Sequence, residues 1–321
     1  MAWNRVAQLY VGAFEDAADP GSGYEVGGLH FDFEVTRSIE FYRDSARFDI
    51  YNPNEQTLSQ VLRCGVAVVF RAGYEDQGVG NVFVGQIARA YAEDTDGGDT
   101  VLRLWCNSRR GAQYRLSRVM MSLSMAAGST CHDVLQEIAD FAGVPLSGST
   151  PLKSVTLSRA YVDTGTVRDV VANFVRTKLR KLGGRVILTN NEMLYLAPDN
   201  TMTFETAYLN YGTGLISARR VRDESWGSSE EAFSANMEYY MGLTGQGNNE
   251  AEQPELTRDT VEFEALLHPG LCVGKPVYID ARRSSTDSRN VCGKYWITGL
   301  EYRGDNYGGD FGVSGTAEDS Q

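Results

Sequence analysis

Between Leu29 and Thr36 apolar and polar residues alternate without a break. A period of two is the repeat of an extended strand. It places Leu29, Phe31, Phe33 and Val35 on one face and His30, Asp32, Glu34 and Thr36 on the other. Such a strand is dry on one side and wet on the other, so it suits the wall of a barrel or sandwich. The segment Arg47 to Tyr51 continues the pattern, and Asn52-Pro53-Asn54 ends it. A short helix is expected next, with Leu58, Val61 and Leu62 on its buried side. Further strands are expected at 66–70, 81–87 and 100–105, separated by turn-rich pieces such as Asp96-Gly97-Gly98-Asp99.

The period then changes to 3.6. Thr130 followed by Asp133 has the spacing of a capping box, and opens a helix whose Val134, Leu135, Ile138 and Phe141 share a face. Gly143 fits the left-handed position just past its end. Thr166 and Asp169 repeat the device before a longer helix with the stripe Val167, Val170, Val171, Phe174 and Leu182, closed by Gly183-Gly184. A hairpin follows, 185–188 and 193–196 around Asn190-Asn191, and Pro198-Asp199-Asn200 marks the exit. β pattern resumes at 260–267, 276–279 and 295–302, and the ending from Gly312 to Gln321 is polar and small. Residues 224–256, rich in Ser, Gly, Asn and Glu, are expected to form an insertion that orders only against a partner.

At 321 residues the chain exceeds the roughly 250–300 that one core usually supports. The expected boundaries are 1–125 for a first β domain, 126–200 for a small α+β domain and 201–321 for a second β domain. A hydrophobic fraction of 42 % suffices to fill such cores. The net charge is −12, which disfavours ordinary binding of phosphate backbones. There is no signal-peptide pattern at the start and no apolar run near about eighteen residues, so synthesis and folding in a cytoplasm and no membrane insertion are expected. The five cysteines (Cys64, Cys106, Cys131, Cys272, Cys292) are odd in number and lack a C-x-x-C pair, which fits buried free thiols.

No constellation outweighs its plain structural reading. The aspartates at 94, 96 and 99 lack the twelve-residue frame of a calcium loop and fit a hairpin turn. His30, His132 and His268 lie far apart in sequence, without convergent partners for zinc or nucleophilic chemistry. His132 at a helix start fits a surface position. Glu137 and Asp140 fall on the polar face of their helix, so they do not form the facing carboxylate pair of a glycosidase. Arg176, Lys178, Arg180, Lys181 and Arg185 fit a solvated helix end, and Gly78-Val79-Gly80 has no following helix to cradle phosphate. The residues assign no catalytic, cofactor-binding or metal-binding site.

Several spans, in order, resemble the phage baseplate hub family, known also as late control protein D or phage tail protein D. They are Ala46 to Pro53 with the following helix and Gly65-Val66-Ala67-Val68, Ala72-Gly73-Tyr74, Val84-Gly85-Gln86-Ile87, and Thr166 to Leu196. Gly214-Leu215-Ile216-Ser217 and Leu266 to Val277 continue the match, with His268 in place of the usual Asn. Gly293 to Asp305 ends it, with Tyr302 where His is frequent. The resemblance implies a mainly β fold in which two tube-like β-barrel domains flank a small α/β domain. It also implies a homotrimeric ring, non-enzymatic, that joins a sixfold tail tube protein to a threefold central spike protein. Other baseplate proteins and the tape measure protein are implied as further partners, with the genome passing through the lumen. A cell-wall hydrolase and the spike base of a secretion system are the alternatives.

Overall fold

The computed structural model describes residues 4–12, 23–38, 44–62, 66–95, 97–108, 119–179, 182, 185–188, 193–196, 206–221, 260–282 and 291–319. In chain order the first elements are β1 (Arg5–Gly12), β2 (Tyr24–Glu25), β3 (Phe31–Ser38), β4 (Ser45–Tyr51), α1 (Glu55–Val61), β5 (Ala67–Tyr74), β6 (Gly78–Asp94) and β7 (Thr100–Ser108). There follow β8 (Met120–Met125), α2 (Cys131–Ala142), β9 (Leu146–Ser147), β10 (Tyr161–Thr166), α3 (Val167–Phe174), β11 (Arg185–Leu188) and β12 (Met193–Leu196). The last are β13 (Ala207–Asn210), β14 (Leu215–Val221), β15 (Thr260–Leu266), β16 (Pro276–Asp280), β17 (Cys292–Asp305) and β18 (Phe311–Asp319). The protein is mainly β, and its largest element is a curled, predominantly antiparallel sheet.

The chain divides into two compact units, one of Met1–Gln113, Phe204–Arg219 and Val261–Ser320, the other of Tyr114–Thr203 and Arg220–Thr260. In the first unit the strands run β14-β15-β18-β17-β3-β4-β7-β6-β5-β1-β2, and β13 joins through β16, which pairs with β17. The strands before α2 fill one side of this order and those after β12 fill the other. They meet where β17 pairs antiparallel with β3. The apolar face read from the alternation is buried as expected: Phe31, Phe33 and Val35 lie opposite Ile50, Phe48 and Ala46 of β4. Phe31, Phe33 and Phe48 gather around Phe70 of β5 with ring centroids 4.6–6.2 Å apart. Phe33 also meets Phe311 edge-on at 5.6 Å. Full burial of each such ring contributes roughly 1.5–3 kcal/mol. One hydrophobic core therefore holds residues from both ends of the chain.

In the second unit β8 and β10 pair antiparallel, and β11 and β12 form the expected hairpin, to which β9 adds in parallel. Both capping boxes are present: the Thr130 and Thr166 side chains accept from the N–H groups of Asp133 and Asp169, whose carboxylates accept in return. Gly143 closes α2 at φ 70°, a left-handed conformation that costs glycine nothing.

Four expectations need correction. Phe141 is 37 % exposed, because the buried stripe of α2 runs through Ala139 and Ala142 instead and leaves Phe141 at its flank. In α1 it is Thr57, hydrogen-bonded to the Tyr24 hydroxyl at 2.8 Å, that is buried with Val61, while Leu62 is 44 % exposed. The second helix does not run regularly to Leu182. After Phe174 it widens into a π-helical turn, Val175–Leu179, where the Thr177 hydroxyl donates to the Asn173 carbonyl at 2.7 Å. The wider turn buries Leu179. Finally, the small polar ending is strand β18, whose Phe311, Val313 and Ala317 face the core. The segment 224–256, Cys64, Arg180, Lys181, the two glycine and asparagine turns and the exit at 198–200 lie outside the described residues.

Candidate assembly surfaces

The wet face of β3 lies within the strand run β17-β3-β4-β7-β6, where register builds a cross-strand ladder. Arg303 stands opposite Glu34, Glu34 opposite Arg47, Arg47 opposite Trp105, and Trp105 opposite Arg89. Arg303 is 3.6 Å from Glu34 and also contacts Glu301. Arg47 grips Asp49 at 2.6 Å. The Arg47 and Arg89 guanidinium groups lie 5.8 and 5.4 Å from the Trp105 ring, which stacks on Tyr91 at 5.2 Å. Most charges along the ladder have an opposite or aromatic partner. Pairs this exposed contribute about 0–1 kcal/mol each, so the ladder serves register and solubility more than stability.

The far side of the sheet is more open. Among the described residues β14 ends the strand order, so no described strand pairs with its outer edge, which carries backbone donors and acceptors suited to an incoming chain. Ile216 on this strand is 54 % exposed. Beside it a groove of about 530 Å³ runs over β14, β15, β18, β17 and β3, floored by Phe263 and Leu300 and rimmed by Arg37, Arg219, Glu262 and Glu264. Arg219 bridges Glu262 at 2.5 Å across the rim. Tyr208 of β13 stacks flat on Tyr278 at 5.2 Å and remains about half exposed, as does Tyr211. In the second unit Met120 and Val162 are exposed on paired strands β8 and β10. An open strand edge with exposed apolar and aromatic side chains suits contact with another chain.

The residues singled out from sequence are mostly not gathered together. Across the 94–99 segment the Thr95 N–H donates to the Asp99 carbonyl at 2.7 Å, and the Asp94 carboxylate accepts from the Thr100 hydroxyl at 2.8 Å, while Asp96 lies outside the described residues. Glu137 and Asp140 lie on the exposed face of α2, where Asp140 accepts from Gln136. Arg176 donates to Asn173 at 3.2 Å, while Lys178 sits 5.8 Å over the Tyr161 ring, so the described members of the basic cluster point to different neighbours. Cys106 and Cys131 are buried and free as expected, but Cys272 and Cys292 are only half-buried. His132 is not a free surface residue: its Nδ1 lies 2.7 Å from the Oγ of buried Ser149. The His268 Nδ1 accepts the Gly270 N–H at 3.1 Å, which is the service an Asn side chain gives in such a turn. Burial holds this imidazole below its ordinary pKa, keeping Nδ1 available as an acceptor. His30 stacks on Tyr51 at 4.7 Å, and its partners include a residue from the other end of the chain. Sequence reasoning missed the β14 edge and the groove beside it, because both depend on which strands are neighbours. Asp280, gripped twice by Arg282 at 2.8 Å, is held down at a pKa of about 2 and stays anionic at the end of β16.

No protein-family model matches the sequence, and no curated protein matches it. Solved structures do. The tail protein from Neisseria meningitidis MC58 is 12 % identical, with 99 % of this chain and 97 % of that chain covered at a TM-score of 0.55. The 43 kDa tail protein of prophage MuSo2 from Shewanella oneidensis is 11 % identical, with 98 % of both chains covered and a TM-score of 0.54. The E. coli c3393 protein, a component of the type VI secretion system, is 13 % identical over 96 % of this chain and 76 % of that chain, at 0.50. The chain thus has the fold of phage tail proteins and of a type VI secretion component.

Proposed function

We propose that this protein is a structural baseplate hub of a contractile phage tail, assembled in the host cytoplasm and carried in the virion. The observation that carries the reading is the likeness in fold, end to end, to two phage tail proteins. The strand order supports the finer picture of two tube-like barrel domains, 1–125 and 201–321, around a small domain at 126–200. Among the described residues, strands from the two β stretches occupy opposite sides of the order and pair with each other where β17 lies on β3.

Three such chains offer six barrel positions. They match a sixfold tube protein on one side and a threefold spike protein on the other, with other baseplate proteins and the tape measure protein around them. A net charge of −12 suits a lumen through which the genome slides without sticking. The chain's role is structural and not enzymatic. A second reading, the base of a secretion spike, is favoured by the likeness to c3393.

Solution mass and negative-stain imaging of the purified protein test the hub. A threefold ring, or a monomer that trimerises on adding tube or spike protein, is expected. Six copies in one ring would overturn the two-barrel reading. Release of soluble fragments from peptidoglycan would overturn the non-enzymatic role.

A further inference from the structure

One row of the large sheet is electrostatically incomplete. Asp305 of β17 lies opposite Asp32 of β3, and Asp32 lies opposite Asp49 of β4. Like charges placed directly across strands repel. Asp49 is met by Arg47, and Arg103 stands opposite it on β7. No arginine or lysine among the described residues forms an ion pair with Asp32 or Asp305. Among the described residues, the one ion-pair geometry at these two aspartates is with His30, whose Nε2 is 3.6 Å from Asp32 Oδ1. Among the described residues, one imidazole thus faces two carboxylates.

The three side chains present donor atoms within 4.8 Å of one another. Each is held from outside the cluster. Asp32 accepts the Tyr51 hydroxyl on Oδ2 at 2.7 Å, which leaves Oδ1 facing His30. Asp305 accepts the Tyr307 N–H on Oδ1 at 2.7 Å and the Gly308 N–H on the same oxygen, leaving Oδ2. The His30 ring lies flat on Tyr51 at 4.7 Å and meets the Tyr307 ring edge-on at 5.5 Å. Asn306 fastens the two strands behind them, accepting the Phe31 N–H and donating to the Leu29 carbonyl. His30 and Asp32 are each a little under half exposed, so water can complete a coordination shell.

We propose that His30, Asp32 and Asp305 form a site for a divalent transition-metal ion, with zinc the best fit. One imidazole nitrogen and two carboxylate oxygens plus water are a donor set that zinc accepts, at about 2.0–2.2 Å per bond. Around such an ion neighbouring donors stand about 3.2–3.5 Å apart. The His30–Asp32 separation of 3.6 Å is already near that value, and the other donor atoms, within 4.8 Å, would draw closer on binding. The ion would neutralise the paired aspartates and tie the start of β3 to the end of β17, the seam between the early and late strands. Tyr51, Tyr307 and the turn at 306–309 would orient the ligands.

The full-length protein, stripped with EDTA and exchanged into buffer, should take up one Zn²⁺ per chain by calorimetry and by elemental analysis. Its thermal midpoint should rise with Zn²⁺ and not with Mg²⁺. His30→Phe keeps the stacking on Tyr51 and removes the nitrogen. Asp305→Asn keeps an oxygen to accept the two N–H groups and removes the charge. Each should weaken Zn²⁺ binding at least tenfold and abolish the thermal shift. Co²⁺ added to the unmutated protein supplies a readout that needs no variant, a visible d–d band. Absence of that band, no uptake at tenfold excess Zn²⁺, or equal affinity in wild type and both variants would each overturn the site.

Discussion

Tyr302, fully buried in β17, donates its hydroxyl to the Leu271 carbonyl at 3.0 Å across the core of the first unit. Burial pushes this phenol above its ordinary pKa, so it remains a donor throughout the working pH range. Tyr302→Phe leaves a buried carbonyl without its partner, and is expected to cost about 1–3 kcal/mol. Urea denaturation of the variant checks this, and an unchanged midpoint would sink the claim.

Gly85 sits in β6 where strand and neighbour come too close for a side chain. A Cβ there would lie 2.5 Å from the Phe83 ring and nearer still to the Asn107 carbonyl, which is backbone and cannot step aside. Gly85→Ala should therefore destabilise by about 1–3 kcal/mol or more. Gly308→Ala, with nothing within 4 Å of the added carbon, should change stability by less than about 0.5 kcal/mol. Thermal melts of the two variants side by side separate crowding from a general loss of glycine.

The capping boxes predict a pH effect with a definite sign. Hydrogen bonds from Thr130, backbone first, hold the Asp133 pKa below its ordinary value. A depressed carboxylate stabilises the folded state above its unfolded pKa, and this contribution is lost as pH falls through the folded one. Asp133→Asn should lower the denaturation midpoint at pH 7, and the gap from wild type should close in strong acid. Thr130→Ala and Thr166→Ala should each cost about 1 kcal/mol, seen as faster amide exchange in the first turns of α2 and α3.

Thiol accessibility should follow burial. Cys106 is buried and its thiol is pushed up by desolvation, whereas Cys272 and Cys292 are half-buried. Alkylation followed by mass spectrometry should modify Cys272 and Cys292 in the native protein before Cys106 and Cys131. Early modification of Cys106 would contradict the packing of β7.

Much of the local structure was legible in the residues themselves. The alternation from Leu29 to Thr36, the two Thr–Asp caps and the Thr95–Asp99 backbone bond depend on near neighbours, and each took the form its spacing implied. β18 escaped notice because Gly312 and Gly315 interrupt its alternation, and small residues look like a tail until a core is placed against them. Phe141 and Leu62 were misplaced for a related reason: periodicity names a face but not how wide a strip of it the neighbours cover.

The sequence alone determined that His30 and Asp32 share a face, since side chains two apart on a strand point the same way. It could not bring Asp305 to them, because that meeting requires β17 to pair with β3 across more than two hundred residues of chain. Nor could it expose the edge of β14, the groove beside it or the seam between early and late strands, which are properties of strand order. Local conformation follows from backbone sterics and hydrogen bonds within a few residues. Strand neighbours are chosen by the burial of whole faces at once, and that sum is taken only in the folded chain.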